Sequence, residues 1–316
     1  MKFFARAPGK IIITGEHFVV HGSFALAAAI HKGALVKAET SDGIEVSSRE
    51  LDLVASNINK VPLPLKPTVE AIKATLEFLG EKRGIKVSIN SDLPVSSGLG
   101  SSSSVAVATV AATSSALGQN LSQEEIVNLA MTSEGVTHGK PSGIDVNVAV
   151  YGGVILFKIG EKVKQIELDK EVEFIVGYSG IKRQTSKMIA KFSDMERLYP
   201  NIFASLVFSS SCLTETATYA LIKYDLTTLG SIMNFFHLVL SQMGASRKEL
   251  DNIIEKALEA GCIGGKLTGA GGGGCIIALP IAGEARIVAQ RLKKNDVNIS
   301  IVKIPCEGVK VWKNKN

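Results

Sequence analysis

The sequence predicts an α+β protein of two domains, and three observations carry that expectation. Its 316 residues are about twice the length of a common domain. The first fifty residues read as strands, and three helical stretches follow before residue 140. From Phe174 the chain starts again with a strand, several helices, a glycine-rich turn, a strand, a helix and final strands. We therefore expect one domain over 1–165 and another over 166–316, with the charged stretch Lys158 to Glu173 as the passage between them.

Phe3 to Gly22 reads as a strand, a Pro8-Gly9 turn, and a second apolar strand from Ile11 to Thr14 that leads into Gly15-Glu16-His17. Ala34 to Thr40 is strand-like. The Ser-Asp-Gly turn at 41–43 then predicts a hairpin, with Ile44 to Val46 as the returning strand. Residues 51–66 are irregular and carry prolines, and adenine contacts are expected from the 51–68 stretch if the chain holds a nucleotide. Val69, Ile72, Leu76 and Leu79 recur at helical spacing before Gly80 stops the helix, and Ile85 to Ile89 returns to strand.

The most informative stretch is Pro94-Val-Ser-Ser-Gly-Leu-Gly-Ser-Ser-Ser-Ser104. Gly98 and Gly100 let the backbone turn sharply and approach a ligand, while the serines bring hydroxyls and the unpaired N–H groups of a helix start. That helix runs on through Val105 to Leu117 in small and apolar residues and meets a C′ glycine at Gly118. The positive end of its dipole thus faces the turn, which makes the turn a phosphate cradle.

Ser122-Gln-Glu-Glu125 is a capping box and opens the next helix. Glu134 and His138, four apart, share a face of it, and Pro141 ends it near Gly139. Tyr151 to Phe157 reads as a strand, as does Phe174 to Gly177. Helices are expected at about 185–193, 200–220, 226–243 and 247–258, followed by a strand from Cys275 to Leu279.

Composition is that of a globular enzyme, with 46% hydrophobic and 21% charged residues. The net charge of +5 is spread along the chain, so no nucleic-acid partner is expected. Four cysteines without a Cys-x-x-Cys pair read as reduced thiols rather than a metal site. Arg6 interrupts the opening apolar run too early for a signal peptide, and no apolar run is long enough for a membrane span, so a cytoplasmic protein without a membrane partner is expected.

Phosphoryl transfer needs a phosphate cradle, a carboxylate and hydroxyl for Mg²⁺, and a group that handles the acceptor's proton. Ser102, Glu134 and Asp145 supply those types, with Lys10 placed after the Pro8-Gly9 turn where its side chain can be aimed. A second glycine turn, Lys266-Leu-Thr-Gly-Ala-Gly-Gly-Gly-Gly-Cys275, contains Gly-x-Gly-x-x-Gly. It leads into a strand where a dinucleotide fold requires a helix, and Lys266 lacks the spacing of a Walker A loop. It is expected to close over phosphates, with Thr268 offering a hydroxyl. A Ser–His–Asp hydrolase is disfavoured, because no Gly-x-Ser-x-Gly elbow is present.

Three motifs thus stand in fixed order: Pro8 to Gly22, Pro94 to Ser104, and Lys266 to Cys275. Together they resemble the GHMP kinase superfamily over nearly the whole chain. Gly15-Glu-His with Val19, Val20 and Gly22, Glu134, and His138 to Asp145 are most similar to its archaeal-type mevalonate kinase family. The resemblance implies a ribosomal-protein-S5-like first half and a ferredoxin-like second half, with ATP between them and mevalonate as acceptor. It implies that Asp145 takes or orients the acceptor proton and that Lys10 lowers the pKa of that hydroxyl. It places Mg²⁺ on Ser102 and Glu134, and the triphosphate on Pro94, Ser97, Gly98, Leu99, Gly100, Ser101, Ser102, Ser103, Ser104 and Gly271. Glu16, His17, Thr268, Gly269 and Ala270 are expected at the substrate with Lys10 and Asp145, and a homodimer is common among such proteins. Ser103 stands where an alanine is familiar, leaving the metal ligand open among Ser101, Ser102 and Ser103. Kinases of 5-phosphomevalonate or homoserine, or a non-catalytic nucleotide sensor of the same fold, are the alternatives.

Overall fold

The computed structural model describes residues 2–57, 60–94, 97–138, 142–183, 185–294 and 297–313, without the side chains of residues 134, 136–138 and 185–187. The chain opens with two long antiparallel strands, β1 (Lys2–Thr14) and β2 (Ala25–Ser41). The expected turn at Pro8-Gly9 is instead a bulge inside β1, where the register with β2 shifts. Proline has no N–H to give a ladder, and Gly33 lies opposite it, so the ribbon bends there without breaking.

Next come β3 (Glu45–Ser48), β4 (Leu53–Ala55), α1 (Lys66–Leu79) and β5 (Gly84–Ser91). Gly80 ends α1 in the left-handed region, as its position predicts. The expected hairpin between β2 and the segment after Gly43 does not form. β5 takes the edge of β2 by pairing Ala34–Ser41 with Ser91–Gly84, and β3 lies one strand further out, parallel to β5 and antiparallel to β4. β5 fits that central position because Ile85, Val87 and Ile89 alternate into the core.

Helices α2 (Ser101–Ala116), α3 (Gln123–His138) and α4 (Ile144–Tyr151) follow, and α2 packs against β1, β2, α1, α3 and α4. A helix so enclosed must be apolar or small on every side, and Ser103, Ser104 and residues 106–115 are all buried. The capping box forms as read, with Ser122 and Glu125 exchanging hydrogen bonds. Residues 144–151, expected as loop and strand start, are the helix α4. The strand β6 (Val154–Phe157) begins only after Gly152 and Gly153, both with positive φ, and it pairs with β2 and with β7 (Lys164–Ile166).

The second half contains β8 (Val172–Tyr178), α5 (Thr185–Leu198), α6 (Pro200–Ile222), α7 (Leu226–Gln242), α8 (Lys248–Glu259), β9 (Cys262–Leu267), β10 (Cys275–Pro280), α9 (Ala285–Lys294), β11 (Asn298–Ile304) and β12 (Lys310–Lys313). Its sheet runs β11-β8-β10-β9, all antiparallel, with α7, α8 and α9 packed on it. One core joins Ile11, Leu26 and Ile30 of the first sheet to Phe174, Phe236 and Leu267 of the second half. β12 returns to the first sheet and pairs with β1, from Phe3 opposite Lys313 to Arg6 opposite Lys310. Among the described residues no helix is long and apolar enough to cross a membrane.

Candidate active site

Lys10 leaves β1 just past the bulge, and its backbone N–H donates to the Leu99 carbonyl at 2.8 Å, tying the strand to the glycine turn. Its side chain is buried and its Nζ lies 3.1 Å from Oδ1 of Asp145, which is 26% exposed. Asp145 reaches that position from the first turn of α4, whose N-cap is Gly143 at φ 82°. Only glycine adopts that conformation readily, and a carboxylate in a first turn is favoured by the helix dipole.

Gly100, at φ 77°, is the N-cap of α2, so the first N–H groups of that helix receive no side-chain cap. A Cβ on Gly100 would sit 3.0 Å from Cγ of Lys10. The turn therefore rests directly on the Lys10 stem. Its other side borders a cavity of about 580 Å³ lined by Ser97, Gly98, Ser101 and Ser102, and by Leu51, residues 63–68 and Ile89 on the far wall. Of the 51–68 stretch, where adenine contacts are expected, Leu51 and residues 63–68 line this cavity.

The serines after the turn divide by location. Ser101 and Ser102 face the cavity, with Ser102 the more exposed, whereas Ser103 is buried in α2 and does not line it. Ser104 does not reach a ligand: it accepts from the Ala34 N–H at 2.9 Å and donates to the Ala7 carbonyl at 2.6 Å, pinning α2 to β1 and β2. Leu99 is buried and contributes its carbonyl, while Pro94 is exposed at the entry to the turn. The side chain of Glu134 lies outside the described residues.

The second glycine turn joins β9 to β10. Thr268, expected to offer its hydroxyl to phosphates, is fully buried; it accepts from the Ile12 N–H at 2.9 Å and donates to the Ile12 carbonyl at 3.1 Å. Its role is a stitch between the two halves. Gly269 and Gly271 have positive φ, and a side chain on Gly271 would strike the Ala245 carbonyl. The carbonyl of Ala270 accepts from Nε2 of His17 at 2.8 Å, which fixes the Nε2–H tautomer.

His17 stands at φ 61°, its ring stacked 4.0 Å from that of Phe192. Burial pulls its pKa down to about 4, so the ring is neutral at physiological pH. Beside it Glu16 forms a fully buried ion pair with Lys266, whose Nζ also donates to the Leu267 carbonyl. Burial pushes the Glu16 carboxyl up and the Lys266 ammonium down, and each charge opposes the other's shift. Among the described residues the second oxygen of Glu16 is buried without a partner. Sequence reading placed Lys266 in a motif but gave it no role.

It also passed over Arg183. This residue lines the cavity from the loop after β8, against Gly98, Gly269 and Gly274. Its signal in the sequence is faint: a single arginine in a loop.

The arrangement thus joins a half-exposed carboxylate held by a buried ammonium, an uncapped helix N-terminus and a cavity of nucleotide size. The GHMP kinases N terminal domain family matches residues 66–153, and the GHMP kinases C terminal family matches residues 217–298. The chain is 35% identical to the mevalonate kinase of Thermococcus sibiricus, covering 98% of each, and 36% identical to that of Pyrococcus abyssi, covering 97% of each. Among solved structures it is similar to the mevalonate kinase of L. major in complex with R-mevalonate, with a TM-score of 0.82 and 29% identity over 96% of both chains. It is likewise similar to the Methanococcus jannaschii mevalonate kinase, with a TM-score of 0.83 and 27% identity over 96% of this chain and 98% of that one.

Proposed function

This chain belongs to the GHMP kinase family, and on that premise we infer that it is a mevalonate kinase, moving the γ-phosphate of ATP to the C5 hydroxyl of (R)-mevalonate to give 5-phosphomevalonate. One observation carries the reading: the Lys10–Asp145 pair stands against the same glycine turn that opens α2 and borders the cavity.

In the reaction the acceptor oxygen bonds to Pγ, the bond from Pγ to the β,γ-bridging oxygen breaks with its electrons going to ADP, and the hydroxyl proton goes to Asp145. Lys10 holds the Asp145 carboxylate in place and stabilises negative charge growing on the acceptor oxygen. The uncapped N–H groups of α2, with Gly98 and Gly100, hold phosphate oxygens, and the apolar wall at Leu51, Leu63 and Leu65 suits an adenine ring. Glu16 and His17 support the acceptor side through Lys266 and the Ala270 carbonyl. Ser102, exposed on the cavity wall, and Glu134 are the hard oxygen donors that would hold Mg²⁺, which supplies charge neutralisation of the β- and γ-phosphates.

We further propose a cytoplasmic homodimer that acts on small molecules alone. Phe208 and Tyr219, three turns apart on one face of α6, are both exposed and support a covered surface there.

The test is ADP release with Mg²⁺-ATP against mevalonate, 5-phosphomevalonate, homoserine and galactose, with ³¹P NMR locating the phosphate. Turnover of mevalonate to the 5-phosphate supports the reading. Preference for another acceptor, or a 3-phosphate, would leave the cradle in place and overturn the acceptor assignment.

A further inference from the structure

Among the described residues, two buried polar atoms beside the glycine turn have no hydrogen-bond partner: Oγ of Ser97 and Nε of Arg183. They come from opposite halves of the molecule and line the same cavity. Their closeness is fixed by Gly274, where an added Cβ would lie 2.6 Å from the Ser97 carbonyl oxygen and 2.8 Å from Cγ of Arg183. Such orphaned donors are rare in folded proteins and call for a ligand.

The packing around Arg183 is equally specific. Its side chain is wedged between Gly98 of the first glycine turn and Gly269 and Gly274 of the second, each with positive φ. A Cβ would come within 3.4 Å of Arg183 Cδ at Gly98, 3.1 Å of Nη1 at Gly269 and 3.0 Å of Cδ at Gly274. The glycines therefore make a slot for this side chain as well as permitting their own turns. Among the described residues Arg183 makes no ion pair, so a half-buried guanidinium stands at the phosphate cradle with its charge uncompensated. Guanidinium has a planar fork of donors that matches phosphate oxygens, and a desolvated cation without a carboxylate favours a dianionic guest.

We propose that Arg183 is a catalytic residue that clamps the transferring phosphate, donating to its non-bridging oxygens and neutralising charge that shifts toward the β-phosphate as the Pγ–O bond breaks. The proposal rests on the kinase reading above. It also gives the second glycine turn a purpose that Thr268 does not supply: Gly269 and Gly274 hold the clamp in place. The acceptor's own carboxylate is the competing anion, and the position of Arg183 on the cavity wall beside Ser97, Gly98 and Ser101 favours phosphate.

The experiment compares wild type, Arg183→Ala and Arg183→Lys by steady-state kinetics with mevalonate, by equilibrium binding of a non-hydrolysable ATP analogue, and by guanidinium rescue of the alanine variant. Arginines that stabilise transferring phosphates contribute roughly 10³-fold or more to kcat. We expect a kcat loss of about that size in Arg183→Ala, nucleotide affinity within about tenfold of wild type, and partial recovery with added guanidinium. Arg183→Lys keeps the stem and the charge but loses the fork, so it should fall between, and its circular dichroism spectrum reports whether the slot still folds. A kcat near wild type in either variant overturns the clamp. A raised KM for mevalonate with kcat unchanged also overturns it and assigns Arg183 to the acceptor carboxylate. Failure of the wild type to phosphorylate mevalonate would instead strike the underlying kinase reading, so the two failures are distinguishable.

Discussion

Replacing Lys266 by methionine removes one half of the Glu16–Lys266 pair while keeping a chain of similar length. Lys266 is fully buried and Glu16 is 1% exposed, so water cannot enter to solvate the carboxylate left behind. One oxygen of Glu16 already lacks a partner, and the other loses the ammonium. Breaking a buried pair in this way costs about 3–5 kcal/mol, whereas replacing both members with neutral residues is often near neutral. Lys266→Met and Glu16→Gln should therefore each destabilise by about that amount, and the double variant should recover most of it. Urea titration followed by Trp312 fluorescence and far-ultraviolet circular dichroism measures this, with coincidence of the two transitions showing that one ΔG applies. The loss in Lys266→Met should also depend on pH. Glu16 already titrates above 4.5 in the folded state, and removing Lys266 raises it further. Folded protein then binds a proton that unfolded protein releases, so the deficit grows as pH rises from about 4.5 and shrinks below it. Additive single effects, or a deficit independent of pH, would refute the claim that this buried pair is a mutually dependent unit.

Three other outcomes follow from the same geometry. Asp145→Asn should lower kcat by about 10²–10⁴-fold with ATP-analogue affinity largely kept, because the carboxylate handles a proton that moves only in the reaction; near-normal turnover contradicts the role given to it. Gly100→Ala forces an L residue to φ 77° and sets its Cβ 3.0 Å from the Lys10 stem, so stability should fall by about 1–2 kcal/mol and kcat should fall with it, as thermal unfolding and kinetics together would report. His17 titrates at about 4 when folded against 6.5 when unfolded, a difference of about 3 kcal/mol at neutral pH. That stability is present above pH 6.5 and is lost as pH falls toward 4, so His17→Asn, which tolerates positive φ, should flatten the acid limb of the stability curve.

Local chemistry was the legible part of this sequence. The glycine turn before α2, the capping box at Ser122, the Gly80 stop and the pairing of Lys10 with Asp145 each carry a signal within a few residues or in a chemistry that demands company. What escaped was non-local. The segment after Gly43 pairs parallel to β5, and the sequence holds no trace of a partner forty residues away, whereas a Ser-Asp-Gly turn does advertise a hairpin. The helix α4 was hidden because its eight residues include three valines and an isoleucine, residue types that favour strands over helices, and only the fold shows Gly143 starting a helix ahead of them. Thr268 looks like a ligand-facing hydroxyl in its motif, and only the fold reveals that Ile12, far away in sequence, satisfies it. Arg183 and Lys266 belong with these, since their meaning comes from glycines and a carboxylate brought in from elsewhere.

The pairing of β12 with β1 bears on how this chain is made. On a ribosome, residues 3–6 emerge before all of the chain that separates them from residues 310–313, so the first strand waits for its neighbour while that intervening chain is made. During that interval its backbone N–H and C=O groups on one side form an open edge, the kind of surface on which nascent chains cross-pair. Because contacts between distant parts of a chain slow folding, closing this seam is expected to be a late event. The catalytic half cannot be finished as an independent unit ahead of the rest.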